Sequence, residues 1–208
     1  EATQLEGFAQ MVDKKLVYKG RKAIHWCIDC ETALAAAEIE YSDEVSPSIF
    51  VAYTYKDAAK VFPQLEGKDV DIIIWTTTPW TLPASMAVAV HPRFDYGFYE
   101  VGDKVYLIAQ GLKDKVIKAT GLELGEPIIS CKGAALENSK ALHPFYDKEV
   151  LVVLAEYVEL ETGTGCVHTA PGHGNDDYET GMHYGIEIYN PVDETGHYYA
   201  DTPLFAGM

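Results

Sequence analysis

Residues 70 to 81 read VDIIIWTTTPWT: an apolar run, three consecutive threonines, a proline, and a tryptophan on either side. The first six residues have the composition of a β-strand. Strands usually end in Gly, Asn or Asp, so three hydroxyls and an indole at this exit ask for another explanation. Downstream, MAVAVH (86–91), YGFYEV (96–101) and KVYLIA (104–109) read as further strands, and Gly102-Asp103 between the last two is a hairpin signal. Strand-like runs also occur at 23–28, 39–42, 48–55, 127–132 and 149–155. Helical spacing is found at 2–16, 31–38 (ETALAAAE), 57–62 and 112–120, the last ending at Gly121. Many short strands with few helices between them predict an α+β, mainly β fold: a β-barrel core decorated with short helices.

At 208 residues, with 48% apolar and 12% aromatic residues, the chain is long enough for one sizeable core. No apolar run approaches the ~20 residues of a membrane helix, so no membrane partner is expected. The chain begins with Glu and has no leader-like segment, as expected of a piece of a larger protein. Sixteen Lys and Arg against 32 Asp and Glu give a net charge of −16, which by itself argues against a nucleic-acid partner. Four cysteines stand at 27, 30, 131 and 166. Cys27 and Cys30 form one C-x-x-C without the second pair a zinc ribbon needs, so the expectation is plain thiols, with a thioredoxin-like redox pair as the alternative.

Chemistry-bearing residues concentrate in two places. One is Thr76, Thr77, Thr78, Trp80 and Thr81; the other lies in TGTGCVHTAPGHGNDDYETGMHYG (162–185), with His168, Gly172, His173, Asp176 and Asp177. Each follows an apolar strand, and strand ends of one barrel can converge. Asn175 reads as a helix N-cap, with Asp176 and Asp177 in the first turn opposing the helix dipole. One acid suffices for that task; a second can turn to a cation such as a ligand ammonium. His168 alternates with Val167 on a strand, so one of the two faces inward, while His173 between glycines belongs on an exposed loop. The spacing of His168, His173 and Asp177 matches no metal motif. A hydroxyl triad of threonine, His168 as base and Asp177 as orienter remains open from the residue types alone.

WTTTPWTLPAS (75–85) and GTGCVHTAPGHGNDDY (163–178) together resemble the two signature motifs of the editing domain of isoleucyl-tRNA synthetase. HWCIDCETALAAAEIEY (25–41) and SPSIFVAY (46–53) are similar to that family's segment leading into the domain. Valyl and leucyl relatives usually have Arg at the position of Thr78 and lack the Trp80-Thr81 pair. The resemblance implies a leading helix and linker at 1–22 and an editing domain at 23–208, which hydrolyses valine wrongly esterified to the isoleucine tRNA. Size exclusion of isoleucine solves a general problem: one methylene is worth only ~1–3 kcal/mol, a magnitude for which isoleucyl-tRNA synthetase is itself the standard illustration.

By the same resemblance Thr77, Thr78 and Asp177 are catalytic. Thr76, Trp80, Thr81, His168, Gly172 and His173 bind substrate, with Asp177 anchoring the α-ammonium and His168 lying against the amino-acid side chain. The attacking group is implied to be an oriented water, so no metal or other cofactor is expected in this domain. ATP and Mg belong to the synthetic site of the parent enzyme, whose HIGH- and KMSKS-type motifs are absent from this chain. Implied partners are the acceptor end of the isoleucine tRNA, with its terminal adenosine, and the rest of the synthetase, in the cytoplasm. A non-catalytic nucleotide- or aminoacyl-binding module is the alternative.

Overall fold

The strand that carries the threonine run is central. In the computed structural model, which describes residues 1–208, β4 (Asp69–Thr76) pairs antiparallel with β3 (Ile49–Thr54) and parallel with β7 (Lys104–Ala109). Beyond β7 lie β6 (Asp95–Val101) and β8 (Ile129–Lys132), which gives a five-stranded sheet of order β3-β4-β7-β6-β8. A four-stranded sheet of order β11-β5-β10-β9 is built from β5 (Ala87–Val90), β9 (Lys140–Leu142), β10 (Glu149–Leu154) and β11 (Cys166–Thr169). The remaining strands, β1 (Trp26–Cys27) and β2 (Thr32–Ala33), form a separate hairpin. The helices are α1 (Ala2–Asp13), α2 (Ala58–Val61), α3 (Lys113–Thr120) and α4 (Asn175–Tyr184).

The two sheets share one core. Ile72, Ile74, Phe98 and Leu107 from the first meet Val88, Val90, Val152 and Cys166 from the second. Each sheet also buries its outer face. Ile73 packs with Tyr99, Ile108 and Val116 of α3, and Ala87, Ala89 and Val153 pack with Val158, Tyr184 and Ile186 around α4. Both sheets contain a parallel pair, β4 with β7 and β5 with β10. Parallel pairs are normally covered on both sides, which is why IIIW and AVAV are continuous apolar runs.

The expected barrel is realised as these two sheets curled round one core, without a closed hydrogen-bonded ladder. β4 lies against β11 and β3 against β9. One bridge is the Tyr96 hydroxyl, which is fully buried. It donates to the Gly165 carbonyl (2.6 Å) and accepts the His91 N–H (2.9 Å). Ala109 N–H adds a bond to the Thr164 carbonyl at 2.8 Å.

Several sequence expectations change. Residues 31–38 are not a helix: Glu31 takes a left-handed turn (φ 51°), β2 follows, and only Ala36–Glu38 forms a 3-10 turn. This stretch buries no face here, and packing of one face is what stabilises a short helix such as α3. No strand forms at 39–42, and the expected strand at 23–28 contracts to Trp26–Cys27. β9 was not anticipated, because three residues carry no readable period. The first helix stops at Asp13 instead of residue 16, and no residue before Ile49 is buried. All four cysteines are free thiols.

The glycine-rich lead-in to β11 is fixed sterically. Gly163 (φ +76°) lies against the Trp75 ring, and a Cβ on Gly165 (φ +75°) would fall 2.3 Å from Ala109 Cβ. Gly165→Ala combines a left-handed backbone, ~1–2 kcal/mol, with overpacking, ~1–3 kcal/mol. Chemical denaturation is expected to show a loss of about 2–5 kcal/mol, whereas Gly67→Ala, with open space at its Cβ, should lose only the backbone share.

Candidate active site at the ends of β4 and β11

β4 ends at Thr76, so the threonine run does not extend the strand. Thr76 is buried, and its hydroxyl accepts the Thr78 N–H at 3.0 Å, which turns the chain. A 3-10 turn over Pro79–Ala84 follows, with Pro79 at its first position. Within it the Thr81 hydroxyl donates to the Thr78 carbonyl at 2.8 Å. Thr77 is exposed and Thr78 half-buried. Trp80 leaves 54% of its surface exposed, although its carbonyl is held by the Tyr198 hydroxyl at 2.6 Å. The turn is therefore rigid while the indole stays accessible.

β11 brings the second group. His168 pairs with Val88 and so faces the inner core; Thr169 pairs with Ala87 and faces the outer cluster. His168 Nε2 lies 3.3 Å from the Thr81 hydroxyl. Because that hydroxyl already donates to Thr78, the contact assigns Nε2–H to His168 as the donor. Nδ1 is then a bare acceptor, and it is buried without a partner. Burial first, with His173 and His143 nearby, holds the imidazole down at about 4, so it is neutral at pH 7. His173 departs from the exposed loop expected of it. It is half-buried, edge-on to Trp80 at 5.2 Å, and its Nε2 also lacks a partner.

Asn175 is the first helical residue of α4 and not its cap; Gly174 holds that place, with no side-chain cap. Asp177 is therefore the third helical residue, still in the first turn, and its carboxylate folds back to the strand end. Oδ2 accepts the Ala170 N–H at 2.9 Å, and Oδ1 accepts the Tyr157 hydroxyl at 3.3 Å. Burial raises its pKa, against the lowering effect of these two donors. A desolvated carboxylate of this kind favours a cationic partner. No bond joins Asp177 to His168, whose Nδ1 would have to donate to the carboxylate and has no partner, so the triad geometry is not formed. Gly172 sits tight against the Tyr189 carbonyl, leaving no room for a side chain there.

Two residues that support the site carried no motif signal. His143 donates from Nε2 to the Leu82 carbonyl at 2.9 Å and so pins the turn bearing Trp80 and Thr81; its aromatic neighbourhood in LHPFY was the only hint. Tyr157 lies beside Asp177. Two hollows adjoin the site. A cavity of about 290 Å³ is bounded by Trp75, Thr76, Thr77, Tyr157 and the Thr162–Val167 segment. A more open cleft of about 530 Å³ runs from Trp80, Gly172 and His173 to the β1–β2 hairpin. No three His, Cys, Asp or Glu side chains converge to hold a metal ion.

The sequence matches the family model for tRNA synthetases class I (I, L, M and V) over residues 1–189. It is 48% identical over 201 residues to an isoleucine–tRNA ligase of Geobacter sulfurreducens, across 96% of this chain and 22% of that one. It is 47% identical over 210 residues to an isoleucine–tRNA ligase of Thermoanaerobacter sp., across 100% of this chain and again 22% of that one. The chain thus spans under a quarter of the length of these relatives. The fold is similar to that of the cytosolic leucyl-tRNA synthetase editing domain of P. knowlesi. That likeness has a TM-score of 0.53 at 16% identity and covers 73% of this chain and 68% of the other.

The buried histidines set a pH dependence. His143 and His168 titrate at about 4 in the folded chain, against about 6.5 when unfolded. Between those values the unfolded chain binds more protons, so their contribution is complete above about pH 6.5 and is lost as pH falls. Denaturant unfolding is expected to show a loss on the order of 2–4 kcal/mol between pH 7.5 and 5. His143→Gln should flatten part of that slope; a flat wild-type profile would contradict the buried neutral state.

Proposed function

The chain belongs to the class I tRNA synthetases (I, L, M and V), and from that premise we propose that it is the editing domain of an isoleucyl-tRNA synthetase. Its reaction is hydrolysis of valine esterified to the isoleucine tRNA. The observation that carries this reading is that Thr76 and Thr77 share one cavity wall with Tyr157, whose hydroxyl bonds the desolvated Asp177 carboxylate. The same residues are offered to an aminoacyl ester, which presents a cation, a carbonyl and ribose hydroxyls together.

In the proposed complex the cavity bounded by Trp75 and Tyr157 receives the terminal adenosine. Asp177 takes the α-ammonium as a charge-assisted partner. The hydroxyls of Thr77 and Thr78 orient the ester and the water. The water oxygen adds to the ester carbonyl carbon; the carbon–oxygen bond to the ribose then breaks, and the ribose oxygen leaves with a proton. Valine and free tRNA result. His168, neutral and packed against Thr81, fills the space that the extra methylene of isoleucine would need, and Trp80 forms the open wall of that pocket. Thr76, Thr81, Gly172 and His173 shape the surrounding surface.

The acidic surface fits a limited contact. Lys56, Lys68, Lys104, Lys132, Lys140 and Arg93 are each paired with carboxylates of the same chain. In this reading the domain holds only the acceptor end, and other parts of the synthetase, in the cytoplasm, neutralise the tRNA backbone and supply the ATP and Mg of amino-acid activation.

The test is deacylation by the complete synthetase. Asp177→Asn should abolish valine release from valyl-tRNA with little change in melting temperature. His168→Ala should admit isoleucyl-tRNA, changing the isoleucine-to-valine ratio by roughly 10–200-fold. Valine release by wild type that survives Asp177→Asn unchanged would reject the anchor, and an unchanged ratio in His168→Ala would reject the gate. Failure of wild type to release valine at all would favour a binding module without turnover.

A further inference from the structure

Tyr157 lies on the segment between β10 and β11, outside both motifs. Its ring packs at the edge of the outer cluster with Ala87, Ala89 and Val153, and it also forms part of the wall of the 290 Å³ cavity. The hydroxyl reaches Asp177 Oδ1 at 3.3 Å and the Thr169 hydroxyl at 3.5 Å. Asp177 accepts only, so the Tyr157 proton is directed to it and Thr169 donates to the phenol oxygen in turn. Burial, with Asp177 adding to it, pushes the phenol up to about 12, so the proton is in place at neutral pH.

The terminal torsion of an aspartate is soft. With Ala170 N–H as the one contact, the carboxylate could swing about its Cβ–Cγ bond; a second donor on the other oxygen fixes the plane. We infer that Tyr157 is a positioning residue that sets the aim of the Asp177 carboxylate, and that its ring ties this aim to whatever fills the adjoining cavity. The inference rests on the reading of Asp177 as the ammonium anchor. Tyr157 touches the anchor and the cavity wall at once, so a nucleoside in the cavity and an ammonium at Asp177 are recognised by one connected element.

The experiment measures binding of two stable ligands to the complete synthetase. One is adenosine carrying valine through a 3′-amide; the other is the same molecule with the α-amino group replaced by hydrogen. Wild type should prefer the amine-bearing ligand. Tyr157→Phe should reduce that preference roughly 10- to 100-fold, the scale of one hydrogen bond to a charged group, and leave the amine-free ligand bound as before. The pH below which the preference disappears should also rise in Tyr157→Phe, because Asp177 has lost a donor that stabilises its charged form. An unchanged preference would overturn the positioning role, as would equal weakening of both ligands, which would make Tyr157 a cavity wall alone. Absence of any preference in wild type would reject the anchor itself and the inference with it, a result distinct from failure of Tyr157 alone.

Discussion

A buried phenol locks the two sheets together at the point from which β11 starts. Tyr96 stands on β6 of the five-stranded sheet, and its buried hydroxyl spans the exit of β5 and the lead-in to β11. A buried hydroxyl left unpaired costs ~1–3 kcal/mol, so this bond constrains the Gly165 backbone strongly. Gly165 can accept it only because a residue without Cβ can approach Ala109 at a left-handed φ. From that point β11 runs four residues to Thr169, and the next N–H, that of Ala170, grips Asp177. The geometry of the site is thus inherited from a contact deep in the core.

That inheritance explains what the sequence discloses and what it hides. The strands of the core were legible, because IIIW, AVAV and YLIA are apolar on both faces and both faces are buried. Helix α3 and its stop were legible as well, since Gly121 takes the left-handed turn its type favours. Residues 31–38 misled because alanine content signals helix only when there is a length and a face to support it. In the site, the residue types and loops could be read, but their mutual geometry could not. His168 and Thr169 project to opposite sides of one strand, so His168 joins the inner core and Asp177 meets Tyr157 on the outer side. A triad drawn from composition requires a direct bond between His168 and Asp177, which the pleat denies, although both side chains border the end of β11.

The three neutral or depressed histidines also define the electrostatics. His143, His168 and His173 all have lowered pKa values, each chiefly through burial. Asp177 is therefore left as the desolvated carboxylate at the exit of β11, while Asp193 and Glu194 line the cleft beside Trp80 and His173. An ammonium brought to Asp177 meets a buried carboxylate held by two donors, an arrangement in which the position of that carboxylate matters more than the number of solvated charges nearby.

The order of strands has a kinetic consequence. β5 sits between β10 and β11, yet Ala87 must wait for Leu151, about sixty residues later, and for Thr169 beyond it. Such pairings have high contact order, and the loop-closure entropy they require slows their formation. Most strands of the five-stranded sheet lie earlier in the chain and pair over shorter separations, as in the β6–β7 hairpin. On a ribosome they emerge before the strands that complete the other sheet. The strand exit that holds Asp177 is then the last part to close, and a chain halted before residue 170 has the threonine turn without its carboxylate.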